Sequence, residues 1–267
     1  MHLKPVLRWA GSKQRLLPAL AMRMPANFNR YFEPFAGSAS LFFAVRPELA
    51  TLSDINAELV NFYKVLRIAP EEVYRRMIAI PRTEHAYIES REEFAQAKDK
   101  FERAALFWYL NRHCFNGLFR TNQKGKFNVP YGSKLPPLPE WPHVKKCAAR
   151  LRRASIRNED FQAVVNAAGE GDFIYVDPPY RRTSTRNRGE YGLGAMLDQE
   201  MSRLVDSVKS ASDRGAKVLI SYNTDLSGLL PGWNHNVVNG RHLISADPLK
   251  RVRINEYTSF NYPSRTA

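Results

Sequence analysis

Cysteine is scarce in this chain. Cys114 and Cys147 stand alone, too few for a disulfide framework or a cysteine-based zinc site. Long apolar runs are missing as well. None approaches the roughly 18 residues that span a bilayer, although 44% of the chain is hydrophobic. The opening residues Met1-His2-Leu3-Lys4-Pro5 lack the apolar core of a signal peptide. There is no internal repeat and no low-complexity tract. These absences give the expectation of a soluble, cytoplasmic protein without membrane contact. Its 267 residues suffice for one large core, or one core plus an insert.

Acidic side chains are the other shortage. Lysine and arginine number 40 against 26 aspartates and glutamates, a net charge of +14, which favours a polyanionic partner. The imbalance is local. Residues 61–153 hold 19 basic and 9 acidic side chains, whereas the remainder holds 21 and 17. Between 112 and 153 ten basic residues meet a single acid, Glu140. So strong a bias suits a nucleic-acid-binding insert; a solvated basic face is the plainer alternative.

What is present is organised around Asp177-Pro178-Pro179-Tyr180. The preceding run, Asp172-Phe173-Ile174-Tyr175-Val176, is apolar and aromatic and predicts a buried parallel strand. Two prolines cannot continue a strand, because each lacks the N–H and fixes φ. A carboxylate, a carbonyl with no competing N–H and a flat ring are thus set just past a strand end, where open α/β sheets bind ligands. Together they suit a planar ring with an exocyclic amino group, such as adenine. The alternative is a strand end with a proline turn and a solvated aspartate.

Three further stretches bear on the site. In Arg8-Trp9-Ala10-Gly11-Ser12-Lys13, Gly11 lets a ligand approach the backbone and Trp9 offers an aromatic face. The plainer alternative makes Ser12 only the N-cap of a first helix carrying Leu16, Leu17, Leu20 and Met24 on one side. In Tyr31 to Ser40, a strand ending at Glu33 is followed by Pro34-Phe35-Ala36-Gly37-Ser38 and a helix from about Ser38. The strand Thr51 to Asp54 then ends in an acid 17 residues after Gly37, near the spacing at which a Rossmann-type acid holds ribose hydroxyls. The turn is not G-x-G-x-x-G, the cradle a pyrophosphate needs. It fits S-adenosylmethionine, which has a ribose but no phosphate, better than NAD.

Helices are predicted over Asp54 to Arg67, 70–80, 84–113, about 143–153 and 198–214. A strand at 155–157 ends in Glu159-Asp160-Phe161, another spans 217–221, and strand-like pieces near 235–239 and 256–260 close the sheet. Thr224 is a candidate N-cap. Residues 112–133 are broken into turns by Gly117, Asn122, Gly125 and Gly132. Asn116, Arg120, Asn122 and Asn128 are side-chain types that read base edges, Phe115 and Leu118 are candidate wedges, and Lys124 and Lys126 suit phosphates. A basic surface hairpin without that role fits the same pattern. Arg181, Arg182, Arg186 and Arg188 lie in a polar stretch, 181–194, expected to form a mobile loop beside the site.

These pieces, in this order, resemble the Dam-type DNA adenine-N6 methyltransferases of the D12 class. Arg8 to Lys13 is similar to the family's N-terminal cofactor motif and Phe32 to Gly37 to its strand–turn motif. Asp54 resembles its ribose-binding acid, 112–132 its recognition hairpin, and Asp-Pro-Pro-Tyr its catalytic motif. The resemblance implies a Rossmann-like class I methyltransferase sheet of seven strands, α/β in class, made from 1–60 and 154–267. A helical and hairpin DNA-recognition insert would occupy 61–153. It implies S-adenosylmethionine as methyl donor, no metal, and duplex DNA as partner with GATC the favoured site. Asp177, Pro178, Pro179 and Tyr180 would carry catalysis. Trp9, Gly11, Lys13, Glu33, Pro34, Phe35, Gly37, Ser38, Asp54, Asp160, Phe161 and Asp177 would surround the cofactor. Arg8, Asn116, Leu118, Arg120 and Pro130 match the family's DNA-contacting positions; Asn122, Lys124, Lys126, Asn128 and the arginines at 181, 182 and 186 are added from their residue types. A monomer is expected, with any cognate restriction endonuclease acting separately. Ser12 stands where a second glycine is usual, and Ser38-Ala39 replace part of a glycine-rich turn. Two other readings compete: methylation of a protein glutamine amide, where asparagine usually stands in place of Asp177, and a DNA-binding module without activity.

Overall fold

The computed structural model describes residues 2–122, 124–180, 196–240 and 254–264. Within them run β1 (Tyr31–Glu33), β2 (Ala50–Ser53), β3 (Ala154–Arg157), β4 (Phe173–Val176), β5 (Lys217–Tyr222), β6 (Asn234–Gly240) and β7 (Ile254–Phe260). They form one sheet in the order β3-β2-β1-β4-β5-β7-β6. The first five are parallel; β7 runs antiparallel to both β5 and β6. Strand order therefore reverses between β1 and β4, and the crevice at such a switch point is where these sheets bind ligands.

The period of the strands explains how both faces are covered. Phe173 and Tyr175 enter one apolar cluster, whereas Ile174 and Val176 enter another, as alternation across a pleated strand requires. Helices α1 (Leu17–Arg23), α2 (Ser40–Val45) and α3 (Ala57–Ile68) contribute to the first cluster. So do α4 (Pro70–Ala79), α5 (Glu84–Gln96), α6 (Lys100–His113) and α7 (Trp141–Leu151). The second is covered by α8 (Phe161–Asn166) and α9 (Asp198–Asp213). A boundary at 60/61 falls inside α3. The middle third is not packed only on itself: Phe62, Phe107, Trp108 and Val144 share one core with Tyr31 and Tyr175.

Four local expectations are corrected. Ser12 does not cap a long first helix: Lys13–Arg15 is a short 3-10 turn, and α1 begins only at Leu17 with Pro18 in its first turn. The third helix starts at Ala57, because the Asn56 side chain accepts from the Glu58 and Leu59 amides and ends the extended backbone there. The single helix expected over 84–113 is two. Asp99 accepts from the Phe101 and Glu102 amides and starts α6 anew; Asp99 with Glu102 three residues on was a readable start signal. Thr224 caps no helix; Asp225 accepts from the Ser227 amide in a turn instead.

Asp172 fixes the base of β4. Its carboxylate accepts from the Arg30 amide and side chain, at 2.6 Å for the Nη2 contact, and from the Gly169 amide. It is buried, whereas the Arg30 side chain is half exposed. Asp172→Ala should therefore cost about 1–3 kcal/mol, near the value of stranded amide donors rather than of a stranded buried charge. A fall in the urea midpoint at unchanged slope checks this.

Candidate active site

The crevice between the ends of β1 and β4 is a cavity, and every residue assigned above to cofactor or catalysis lines it. The walls come from four places. The segment Trp9 to Lys13 forms one side, the β1–α2 turn a second, the β2 and β3 ends a third, and Asp177 to Tyr180 the fourth, with Met196 and Glu200 at the start of α9 closing the rim.

The β1–α2 turn is held close. Gly37 has φ +46°, and a Cβ there would lie 2.8 Å from Trp9 Cδ1, so the indole occupies the space that glycine leaves. Ala39 adopts the left-handed conformation at φ 52°, which costs an L-residue roughly 1–2 kcal/mol. That strain is the physical reason for a glycine-rich turn in this position. Ser12, in place of the usual glycine, is joined instead to Ser38 and Ser40: the three hydroxyls lie 2.8–3.1 Å apart. The N-terminal segment is thereby tied to the turn.

Asp54 Oδ2 accepts from the Gly37 amide at 3.0 Å and Oδ1 from the Asn56 amide at 2.9 Å. Burial raises its pKa, and those two amides oppose the shift. Asp160 caps α8 through the Gln162 amide and pairs with Arg203 at 2.8 Å. Beside it Phe161 stacks on Phe35, centroids 5.3 Å apart and planes at 27°. Glu33 is buried, and its Oε2 accepts the Tyr31 hydroxyl at 2.8 Å. Burial pushes its carboxyl up to about 8; the Tyr31 hydrogen bond opposes this and Asp177 adds to it.

At the β4 end, Lys13 Nζ lies 2.7 Å from Asp177 Oδ1 and 3.4 Å from Glu256 Oε1. It also donates to the Tyr180 hydroxyl at 3.1 Å, and that hydroxyl donates to Glu256 Oε2 at 2.7 Å. Burial alone would lower the Lys13 pKa, but Asp177, Glu256 and Tyr180 together carry it above the ordinary value. Asp177 is shifted upward by burial and by Glu256, with Lys13 opposing. Lys13, expected beside the cofactor, is thus also the counter-ion of the Asp-Pro-Pro-Tyr carboxylate. Glu256 was not picked out from the sequence at all.

The hairpin residues are placed along a loop closed by bridges between Cys114 and Tyr131 and between Thr121 and Phe127. Asn116 has φ 54° at its exposed start, next to Phe115, which is 38% exposed. Arg8 abuts this start: a Cβ on Gly117 would lie 2.3 Å from Arg8 Cβ. Arg120 is braced across the loop, donating to Asn128 Oδ1 at 2.7 Å and Asn128 O at 3.1 Å. Asn122 accepts from the Lys124 and Lys126 amides, so its carbonyl builds the turn. Lys124, Lys126 and Pro130 are exposed, while Leu118 packs against the core. Phe119 stacks on Trp9, centroids 6.3 Å apart, which joins the loop to the cavity wall. Arg181, Arg182, Arg186 and the rest of 181–194 lie outside the described residues.

The cavity wall is rich in carboxylates, although the chain as a whole is strongly basic. Among the described residues, Glu33, Asp54, Glu159, Asp160, Asp177 and Glu200 line it, against the one cation Lys13. That lining, with the Phe35 and Phe161 rings, suits a cationic ligand bearing hydroxyls and a flat base.

Comparison with known proteins agrees. The model of the D12 class N6 adenine-specific DNA methyltransferases matches residues 9–252. The chain is 34% identical to a DNA adenine methylase of Vibrio cholerae, over 96% of this chain and 95% of the relative. It is 32% identical to the type II methyltransferase M1.LlaDCHI of Lactococcus lactis subsp. cremoris, over 98% and 96%. Among solved structures, the rRNA methyltransferase aviRa from Streptomyces viridochromogenes is a remote likeness, with TM-score 0.39 and 15% identity over 95% of this chain and 86% of that one. With a match spanning nearly its whole length, the chain belongs to the D12 class of N6 adenine-specific DNA methyltransferases.

Proposed function

We propose that the chain transfers a methyl group from S-adenosylmethionine to the N6 amino group of adenine in duplex DNA, within GATC, after the base has flipped out of the helix. The observation that carries the reading is the position of Asp177-Pro178: past the end of β4 at the switch point, on the wall of an acid-lined cavity. When bound, the donor supplies an electrophilic methyl on a positive sulfonium. The chain supplies the rest. Glu33, Asp54 and Asp177 favour the cation and ribose hydroxyls, and Phe35 and Phe161 the flat base. Asp177 and the Pro178 carbonyl accept hydrogen bonds from the target amino group and orient its nitrogen. Tyr180, anchored by its hydroxyl, offers its ring to the adenine. Catalysis then rests on positioning and electrostatics. Flipping costs a few kcal/mol, offset by this pocket and by contacts from the hairpin. Residues 61–153 are assigned to recognition, with Phe115 and Leu118 at the stack and Arg8, Asn116, Arg120 and Asn128 at base edges.

Asp177→Ala should abolish methyl transfer while leaving duplex affinity within about threefold, because phosphate contacts dominate affinity. Near-normal turnover in single-turnover assays rules the site out.

Donor affinity should rise as pH passes upward through about 8, since a bound cation favours the ionised form of Glu33. The gain should approach roughly tenfold per pH unit below that point at most. Glu33→Gln should flatten the difference, which separates Glu33 from the donor's own amino group. Calorimetry at several pH values checks it, and equal slopes in both proteins exclude the role.

Arg120→Ala should relax preference at one outer base pair of the site by about tenfold to hundredfold, as expected for loss of a bidentate contact to guanine. Lys124→Ala should weaken all duplexes evenly and make the salt dependence shallower. Rates on singly substituted GATC duplexes decide. A uniform loss for Arg120→Ala makes it a phosphate clamp.

A further inference from the structure

Glu256 is a charged side chain in the interior of a sheet. It is fully buried on β7, where a leucine or methionine would fill the same space without the penalty of burying a carboxylate. Its two oxygens are directed at the site. Oε2 accepts the Tyr180 hydroxyl at 2.7 Å, and Oε1 lies 3.4 Å from Lys13 Nζ. Lys13 is therefore shared between two carboxylates, Asp177 from the end of β4 and Glu256 from β7, while Tyr180 is held at its hydroxyl end by Lys13 and Glu256.

We propose that Glu256 is a positioning residue for methyl transfer: acting through Lys13 and Tyr180, it sets the orientation of the Tyr180 ring and keeps Lys13 from neutralising Asp177 alone. The inference rests on the role assigned above to Asp177. Two effects are combined. The hydrogen bond to Glu256 fixes one end of the Tyr180 ring, whose other end is fixed by the rigid diproline backbone. The Glu256 carboxylate draws part of the Lys13 charge, so that Asp177 stays a strong acceptor for the adenine amino group. Without it, Lys13 would pair with Asp177 only, and the acceptor would weaken. Among the described residues, the ionisable groups facing Asp177 are Lys13, Glu256 and Tyr180, with Glu33 on β1 and Tyr31 and Tyr175 beneath. Of these, Glu256 is the charged group that raises Asp177 from the β7 side.

The test is single-turnover methyl transfer by the full chain on a GATC duplex with saturating S-adenosylmethionine, as a function of pH. Asp177 acts as a carboxylate, so the rate falls as pH drops through its pKa. Glu256→Gln removes the neighbour that raises that pKa and should move the acid limb to lower pH by about half a unit or more. The maximal rate should fall roughly tenfold or more, with donor and duplex affinities within about threefold. Glu256→Asp keeps the charge but shortens the reach. It should leave the acid limb in place while lowering the rate. A wild-type rate or an unmoved acid limb in Glu256→Gln overturns the proposal. If that variant does not fold, Glu256→Asp decides alone: a wild-type rate overturns the proposal, and a reduced rate at unchanged affinities and acid limb upholds it. Asp177→Ala run in parallel separates the two readings. Turnover by Asp177→Ala removes the site assignment itself, whereas an inactive Asp177→Ala beside a wild-type Glu256→Gln removes only the role of Glu256.

Discussion

One buried ammonium holds the site together. Lys13 comes from the N-terminal segment, Asp177 from the end of β4 and Glu256 from β7, yet their charged atoms lie within 3.4 Å of Lys13 Nζ. A buried carboxylate and a largely shielded one at such range would be costly without a cation between them. The cation is costly without them, since burial by itself disfavours its charged form. Each group is tolerable only in the company of the others, so the sheet must be assembled in this order for the site to exist. The serine cluster at Ser12, Ser38 and Ser40 supports the same arrangement from the other side by tying the Lys13 segment to the β1–α2 turn.

Much of this was legible in advance because local signals and the tertiary structure agree. The β4 run is apolar at every position since helices cover both faces of the sheet, and the diproline stops it where the site begins. The acid after β2 and the small residues after β1 lie where a Rossmann-like turn needs them. Helix boundaries were less legible where capping decides them: Asn56 and Asp99 redirect the chain with one side chain each, a signal that periodicity does not carry. Glu256 was hidden for a different reason. In Asn255-Glu256-Tyr257-Thr258-Ser259 a lone acid among polar strand residues has the pattern of a solvated face. Only the antiparallel pairing of β7 against β5 and β6 turns it inward, and no spacing in the sequence reports that pairing. Likewise Asn122 has the chemistry of a base reader, but its carbonyl is committed to the turn that shapes the hairpin.

The 112–132 loop and the cavity share a wall. Trp9 fills the space left by Gly37 and stacks on Phe119, and Phe119 packs in turn on Phe127, 5.6 Å between centroids. Trp9 therefore belongs both to the cavity wall and to the packing of the hairpin.

The acid lining also bears on how the catalytic cycle ends. On the proposed reading, Glu33, Asp54 and Asp177 face a donor whose charge falls by one when its methyl leaves. The same carboxylates that gather the donor hold the spent thioether less firmly, and in a poorly solvated cavity that difference is larger than it would be in water. On that reading the charge of the wall by itself favours exchange of product for fresh donor.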